Sequence, residues 1–591
     1  MQLNQATTTA TAALLLGALP LIAAHGDDHM QMEYENELAA TGNTAEAPRN
    51  YFRHPDYAEW MYAHITLMIL GWVVVLPPAL MLSVARSRYH LPAQLTFHGI
   101  NAVALFTGFV YNQSTPDLYV TNAHRPIGWI VTSLTMIWTF ISLFTAYANA
   151  VKQRRPENAI LQSPRGIETK DYDSQHYVDS PSSYRFSHDS GNFSGGSRSN
   201  SSDSVYKKDD FIPIGNDQEN RDDDYNASTE ESGFLGRKKV QGILARIVQF
   251  GCDTRFSAIL RVSQIVLEKF LLLLGFLAIT SGFVVYGGLF KQREIYSGLA
   301  HYVKGGIFFW YGLLTLGRWM GAFAEFGWAW NLRPKASTVA RWKSRVPSAE
   351  FTESFVIWLY GASNVFLEHL NNWGGNWSPS DFEHVSITIL FFGGGLFGMM
   401  IESKALRKLS GTPANAQNST IEGDSESDDS GFKLVSESSS YSARQQRPNA
   451  PTISLNPMPA LTIMFLGMMM SGHHQASMVS TMMHAQWGML FTGFAMARAA
   501  TYLMLYIKPP TSQYPSRPPS ELVAAFCLTA GGIMFMNSAH DSVQAIEGNG
   551  LDAMTIFTLT IGLTGIIMAW ELVCYTIKTW AVRDEQRKSR A

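Results

Sequence analysis

The chain has 591 residues, 46% of them hydrophobic, with a formal net charge of −3 and a mean hydropathy of −0.02. Three scattered cysteines, Cys252, Cys527 and Cys574, give neither a disulfide framework nor a thiolate metal site, and no nucleic-acid partner is expected. The averages conceal about eleven apolar runs near the roughly twenty residues that a helix needs to cross a bilayer, so the expected class is an all-α polytopic membrane bundle.

The N-terminal stretch MQLNQATTTATAALLLGALPLIAAHGDDH carries a short apolar run ending in small residues. It predicts a cleaved export signal over 1–24 and a luminal segment over 25–59. Spans are then expected at 60–84, 92–111, 127–150, 270–290, 303–327, 351–370, 385–401, 460–472, 486–507, 522–538 and 553–580. Basic residues gather at alternate ends: Arg86 and Arg88, Lys152 with Arg154 and Arg155, those within 333–345, Lys508, and the tail from Arg583. The positive-inside rule therefore sets the N-terminus outside and the C-terminus in the cytoplasm. Two polar stretches rich in Ser, Asp and Glu, 162–237 and 403–450, cannot bury a core and read as disordered cytoplasmic linkers. The organisation is helices 1–3 over 60–161, helices 4–7 over 238–402, helices 8–11 over 451–580, and a cytoplasmic tail over 581–591.

On this topology His64, His124, His301, His369, His384, His473, His474, His484 and His540 all fall near outer ends, whereas His90 and His98 lie toward the cytoplasm. Three incoming spans open with HxxxG: His124 to Gly128, His301 to Gly305 and His484 to Gly488. A residue four further on shares the helical face, so glycine there leaves room for a flat ring or a neighbouring helix.

The first span, HITLMILGWVVVLPPALMLSVARSR, and the HRPIG phrase that opens the third resemble the ascorbate-reducible transmembrane cytochromes b, over His64 to about Tyr286. The resemblance implies that His64 and His124 hold an outer b-type haem and that His98 is half of an inner pair. The fourth span keeps the LGFLAITSG phrase but has Gln264, Glu268 and Lys269 where the inner partner would stand. A single outer haem, or none, is what this pattern permits. Taken whole, the chain is similar to a fungal family, the yeast putative transmembrane proteins, through the C-terminal phrases SNVFLEH, GHH and MNSAH; that family lends no established reaction.

The C-terminal half holds further donors. FLEHLNNWGGNWSPSDFEH is bounded by the pairs Glu368–His369 and Glu383–His384, with Asp381 between them. GMMMSGHHQASMVSTMMHAQWGM sets His473, His474 and His484 among methionines that include Met470, Met478, Met482 and Met483. Imidazole with thioether selects copper, Cu(I) above all, although methionine also fills apolar cores. His301 and His540, the latter beside Asp541, share the expected depth. Arg318 and Glu325, seven apart, predict a structural ion pair, and Arg498 and Glu571 add two more ionisable groups at membrane depth.

The function expected is a membrane protein of the secretory pathway, in the plasma membrane, vacuole or endoplasmic reticulum. It binds copper, b-type haem or both at its outer face, for electron transfer or metal-ion reduction with a small electron donor or metal ion as partner. The alternatives are a non-enzymatic copper or zinc carrier or sensor, and a structural or trafficking protein with inert histidines.

Overall fold

In lipid every backbone N–H and C=O must be satisfied within the protein, which a helix does inside one segment. Among the described residues of the computed structural model every regular element is helical. These residues are 50–154 and 254–590, apart from 292–293, 335–336, 370–376, 378, 404–405, 407–452, 473–474 and 476; side chains at 149–154, 254–255, 365–369 and 379–381 are also excluded. The export signal, most of the luminal segment, the two long linkers, and the His473 and His474 positions lie outside the described residues, as do the side chains of Glu368, His369 and Asp381.

The helices are α1 (Ala58–Val84), α2 (His90–Ser114), α3 (His124–Arg154), α4 (Thr254–Gly287), α5 (Glu294–Met320), α6 (Ala349–His369), α7 (Pro379–Glu402), α8 (Met458–Ser471), α9 (Met478–Ile507), α10 (Ser520–Asn537), α11 (His540–Glu547) and α12 (Ala553–Lys588). Eight of them, α1–α4, α7, α9, α10 and α12, are long and apolar enough to cross a membrane. The protein is therefore a polytopic membrane protein. α5 and α6 are not among the eight, and α8 has 14 residues. Residues 144–259 form a unit of their own, of which the described parts are the end of α3 and the start of α4.

In α1 the sequence Val73-Val74-Val75-Leu76-Pro77-Pro78 forces a local change of register. Pro77 and Pro78 have no N–H, so the Val73 carbonyl loses both its four-residue and its five-residue donor. The helix widens to a π turn over Leu70–Val75, in which the Leu76 N–H reaches the Gly71 carbonyl. The Trp570 indole of α12 fills the gap, donating from Nε1 to the Val73 carbonyl at 2.8 Å. α12 is thereby tied to the first helix of the chain.

α5 packs on α10, α8 on α9, and α6 on α7. The closest approaches are made at glycines, as expected where helices associate in lipid. A Cβ on Gly305 would lie 2.6 Å from the Gly532 carbonyl oxygen, and one on Gly467 would lie 2.5 Å from that of Gly488. The main core gathers Phe491, Phe494, Trp487, Met483 and Leu528 between these helices.

The expected Arg318–Glu325 pair does not form. α5 ends at Met320 and the backbone turns through Phe323 at φ 62°, so Glu325 leaves the helix and pairs with Lys343 at 2.9 Å. Arg318 instead meets Glu353 of α6 at 2.7 Å and Glu350 at 3.8 Å, with its guanidinium over the Trp330 ring. Arg498 of α9 lies 3.4 Å from Glu353. Its Nε lies 2.8 Å from Glu521 of α10 but off the hydrogen-bond direction, so that contact is Coulombic. Three carboxylates thus face two guanidiniums in a site where Arg318, Arg498 and Glu521 are at most 1% exposed.

Candidate cofactor site

His64 lies in the second turn of α1, His124 opens α3, and Ser281 and Gly282 stand near the end of α4, so all three helices bring these residues to one end of the bundle. His64 Nδ1 is 2.7 Å from the Ala104 carbonyl of α2. A carbonyl only accepts, so the proton sits on Nδ1 and Nε2 is the bare, electron-donating nitrogen. His124 Nδ1 is engaged by Ser281 Oγ at 3.1 Å, which likewise leaves Nε2 over.

Glycines make room for both rings. A Cβ on Gly108 of α2 would fall 2.6 Å from His64 Nδ1, and one on Gly282 would fall 3.0 Å from His124 Cε1. These are glycines of neighbouring helices; of the HxxxG glycines, Gly305 and Gly488 meet a neighbouring helix, one of the two uses that pattern allows, and nothing lies within 4 Å of a Cβ on Gly128. Both histidines line a largely apolar cleft of about 2650 Å³. At its rim Asn50 Nδ2 bonds the Gly287 carbonyl at 3.3 Å, and Tyr119 Oη donates to the Leu289 carbonyl at 2.7 Å. Burial holds the phenols of Tyr51 and Tyr119 above the ordinary range.

At the other end of α2, His98 has its Nε2 bonded to Thr139 Oγ1 of α3 at 2.8 Å. The place of a partner on α4 is taken by a polar network, in which Gln264 Nε2 donates to Glu268 Oε1 at 3.2 Å and Ser83 Oγ bonds the same carboxylate. Among the described residues His98 therefore faces no second imidazole.

The remaining candidate donors are dispersed. His301 Nδ1 bonds the Ser297 carbonyl one turn back, at 2.9 Å, and its ring lies beside Phe535. His484 Nδ1 does the same with Ser480 at 2.8 Å, beside Trp487. His540 is exposed at the start of α11, and His384 is half-buried in α7. Met483 is fully buried in the core and Met470 packs against it. Among the described residues no three His, Cys, Asp or Glu side chains are grouped to hold a metal ion. Ser281 and Gly282, which position His124, close the LGFLAITSG phrase, but sequence spacing alone did not show which ring they touch.

An all-helical bundle of this kind, with eight helices long and apolar enough to cross a membrane, defines a polytopic helical membrane protein. The model of the family described as Protein YTP1-like, C-terminal, matches residues 274–579, and a domain of unknown function, DUF2427, matches residues 45–148. The chain belongs to the YTP1-like family. It is 32% identical over 562 residues to an uncharacterized membrane protein of Schizosaccharomyces pombe, covering 94% of this chain and 98% of that relative. An uncharacterized membrane protein of Saccharomyces cerevisiae is 34% identical over 53% of this chain and 47% of its own length. Protein YTP1 of Saccharomyces cerevisiae is 21% identical over 38% of each. No solved structure matches the chain.

Proposed function

We propose that the protein holds one b-type haem between His64 and His124 at its outer face and passes electrons there to or from a small donor or a metal ion. The observation that carries this reading is the presentation of the two imidazoles: each has Nδ1 engaged, Nε2 left as ligand, a glycine against its ring and an apolar cleft before it. A bound haem would supply reversible one-electron chemistry. The protein's part is to fix the tautomer through the Ala104 carbonyl, to orient the second ring through Ser281, and to exclude water with apolar walls. With His98 bonded to Thr139, electrons would be taken up and delivered at a single face.

The reading includes eleven crossings, with α5, α6 and α8 added to the eight, the N-terminus outside, the C-terminus in the cytoplasm, and residence in a secretory-pathway membrane. Protein purified from a haem-sufficient host tests it. About one haem per chain, retained in His98→Ala, is the result that this structure predicts. Haem-free protein containing copper would favour the carrier alternative, and protein free of both would favour inert histidines.

A further inference from the structure

The cleft has a second polar end that the paired-histidine site does not use. Lys269 lies eighteen residues before the end of α4, and Glu571 lies eighteen residues after the start of α12, each about 27 Å from the histidine end at 1.5 Å per residue. Lys578 follows two helical turns beyond Glu571, and all three line the cleft. Lys269 Nζ rests over the Phe323 ring at 5.9 Å and Lys578 Nζ over the Tyr575 ring at 5.1 Å. Neither lysine has an ion pair with a described carboxylate, and the rings that support them, Phe323 and Tyr575, line the same cleft. The nearby Glu325 is bonded to Lys343 at 2.9 Å. Two cations held together at the edge of the hydrocarbon are costly unless an anion joins them.

Level with Lys269 and two turns above Lys578, the Glu571 Oε2 is buried without a hydrogen-bond partner. We propose that this end of the cleft binds an anionic glycerophospholipid, its phosphate between Lys269 and Lys578 and its acyl chains along the apolar walls toward the histidine end. Glu571 then stands deeper than the phosphate, at the level of the lipid's ester carbonyls, and in its acid form donates to one of them. Free phosphate would meet the lysines but leave both the apolar walls and Glu571 without a partner. Basic pockets between membrane helices at the positively flanked face are a known means of holding such lipids.

Native mass spectrometry of the full chain, after exchange into equal amounts of phosphatidylglycerol and phosphatidylcholine, tests the site. The two lipids share ester-linked chains and differ in charge. Wild type should retain one phosphatidylglycerol in preference, and Lys269→Gln with Lys578→Gln should lower that preference about thirtyfold, at about 1 kcal/mol per lysine. Lys269→Arg with Lys578→Arg should keep it. Equal retention of the two lipids by wild type overturns the proposal without recourse to any variant. So does an undiminished preference in the glutamine pair, or displacement of the lipid by millimolar inorganic phosphate, which would reveal a site for the free anion.

Discussion

Replacing Trp570 by phenylalanine removes one N–H and keeps most of the ring. The Val73 carbonyl then has no substitute donor, because Pro77 and Pro78 occupy both backbone positions that could supply one. Hydrogen bonds between membrane helices average about 0.6 kcal/mol and reach about 1.7, the low mean arising because freed groups find other partners. Here that escape is closed, and an acceptor left facing lipid, where no water can replace the donor, costs about 1–3 kcal/mol. We therefore expect Trp570→Phe to destabilise the fold by about 1.5–2 kcal/mol, at the top of the measured membrane range. Reversible unfolding in mixed detergent micelles gives the value, and a double-mutant cycle with Pro77→Ala gives its cause. Alanine at 77 restores the N–H to Val73, so the loss on changing Trp570 should fall below about 0.5 kcal/mol in that background. An equal loss in both backgrounds would refute the hydrogen-bond account and assign the effect to packing.

Other consequences can be measured directly. Gly108→Ala drives a methyl group into the His64 ring and should weaken cofactor retention by about 1–3 kcal/mol, read as loss of haem on gel filtration, with the fold intact by circular dichroism. Glu521→Gln removes one of the two carboxylates beside Arg498, which keeps Glu353 at 3.4 Å, and should cost about 1–3 kcal/mol of stability in the same micelle titration. Gly305→Leu puts a side chain against the Gly532 carbonyl and should part α5 from α10, whereas Gly128→Leu, facing open space, should change stability by less than about 0.5 kcal/mol.

Helix positions were legible because length and apolarity decide whether a segment suits lipid, and α1, α2, α9 and α12 contain the stretches expected at 60–84, 92–111, 486–507 and 553–580. The common end of His64 and His124 was legible for a related reason, since helix alternation fixes depth without knowledge of packing. Lateral neighbours were not legible. The HxxxG pattern marked Gly305 and Gly488, which admit neighbouring helices, but gave no means of seeing that Gly108 and Gly282 on other helices lie against the His64 and His124 rings. Arg318 paired across to α6 because a backbone turn at Phe323 ended its helix before Glu325. The link between Trp570 and Val73 joins residues 497 apart, and only the missing N–H groups of Pro77 and Pro78 announced that some donor must arrive. Met483 belongs to the core, in a cluster with Trp487, Phe491 and Phe494, the filler reading that the methionine-rich run left open beside the metal one.

The central claim is tested most directly by the reduced-minus-oxidised absorption spectrum of purified wild type beside His64→Ala, His124→Ala and His98→Ala. The account predicts a b-haem difference band in wild type and His98→Ala, and its loss in each of the other two. A band that survives both His64→Ala and His124→Ala, or that disappears with His98→Ala alone, would contradict it.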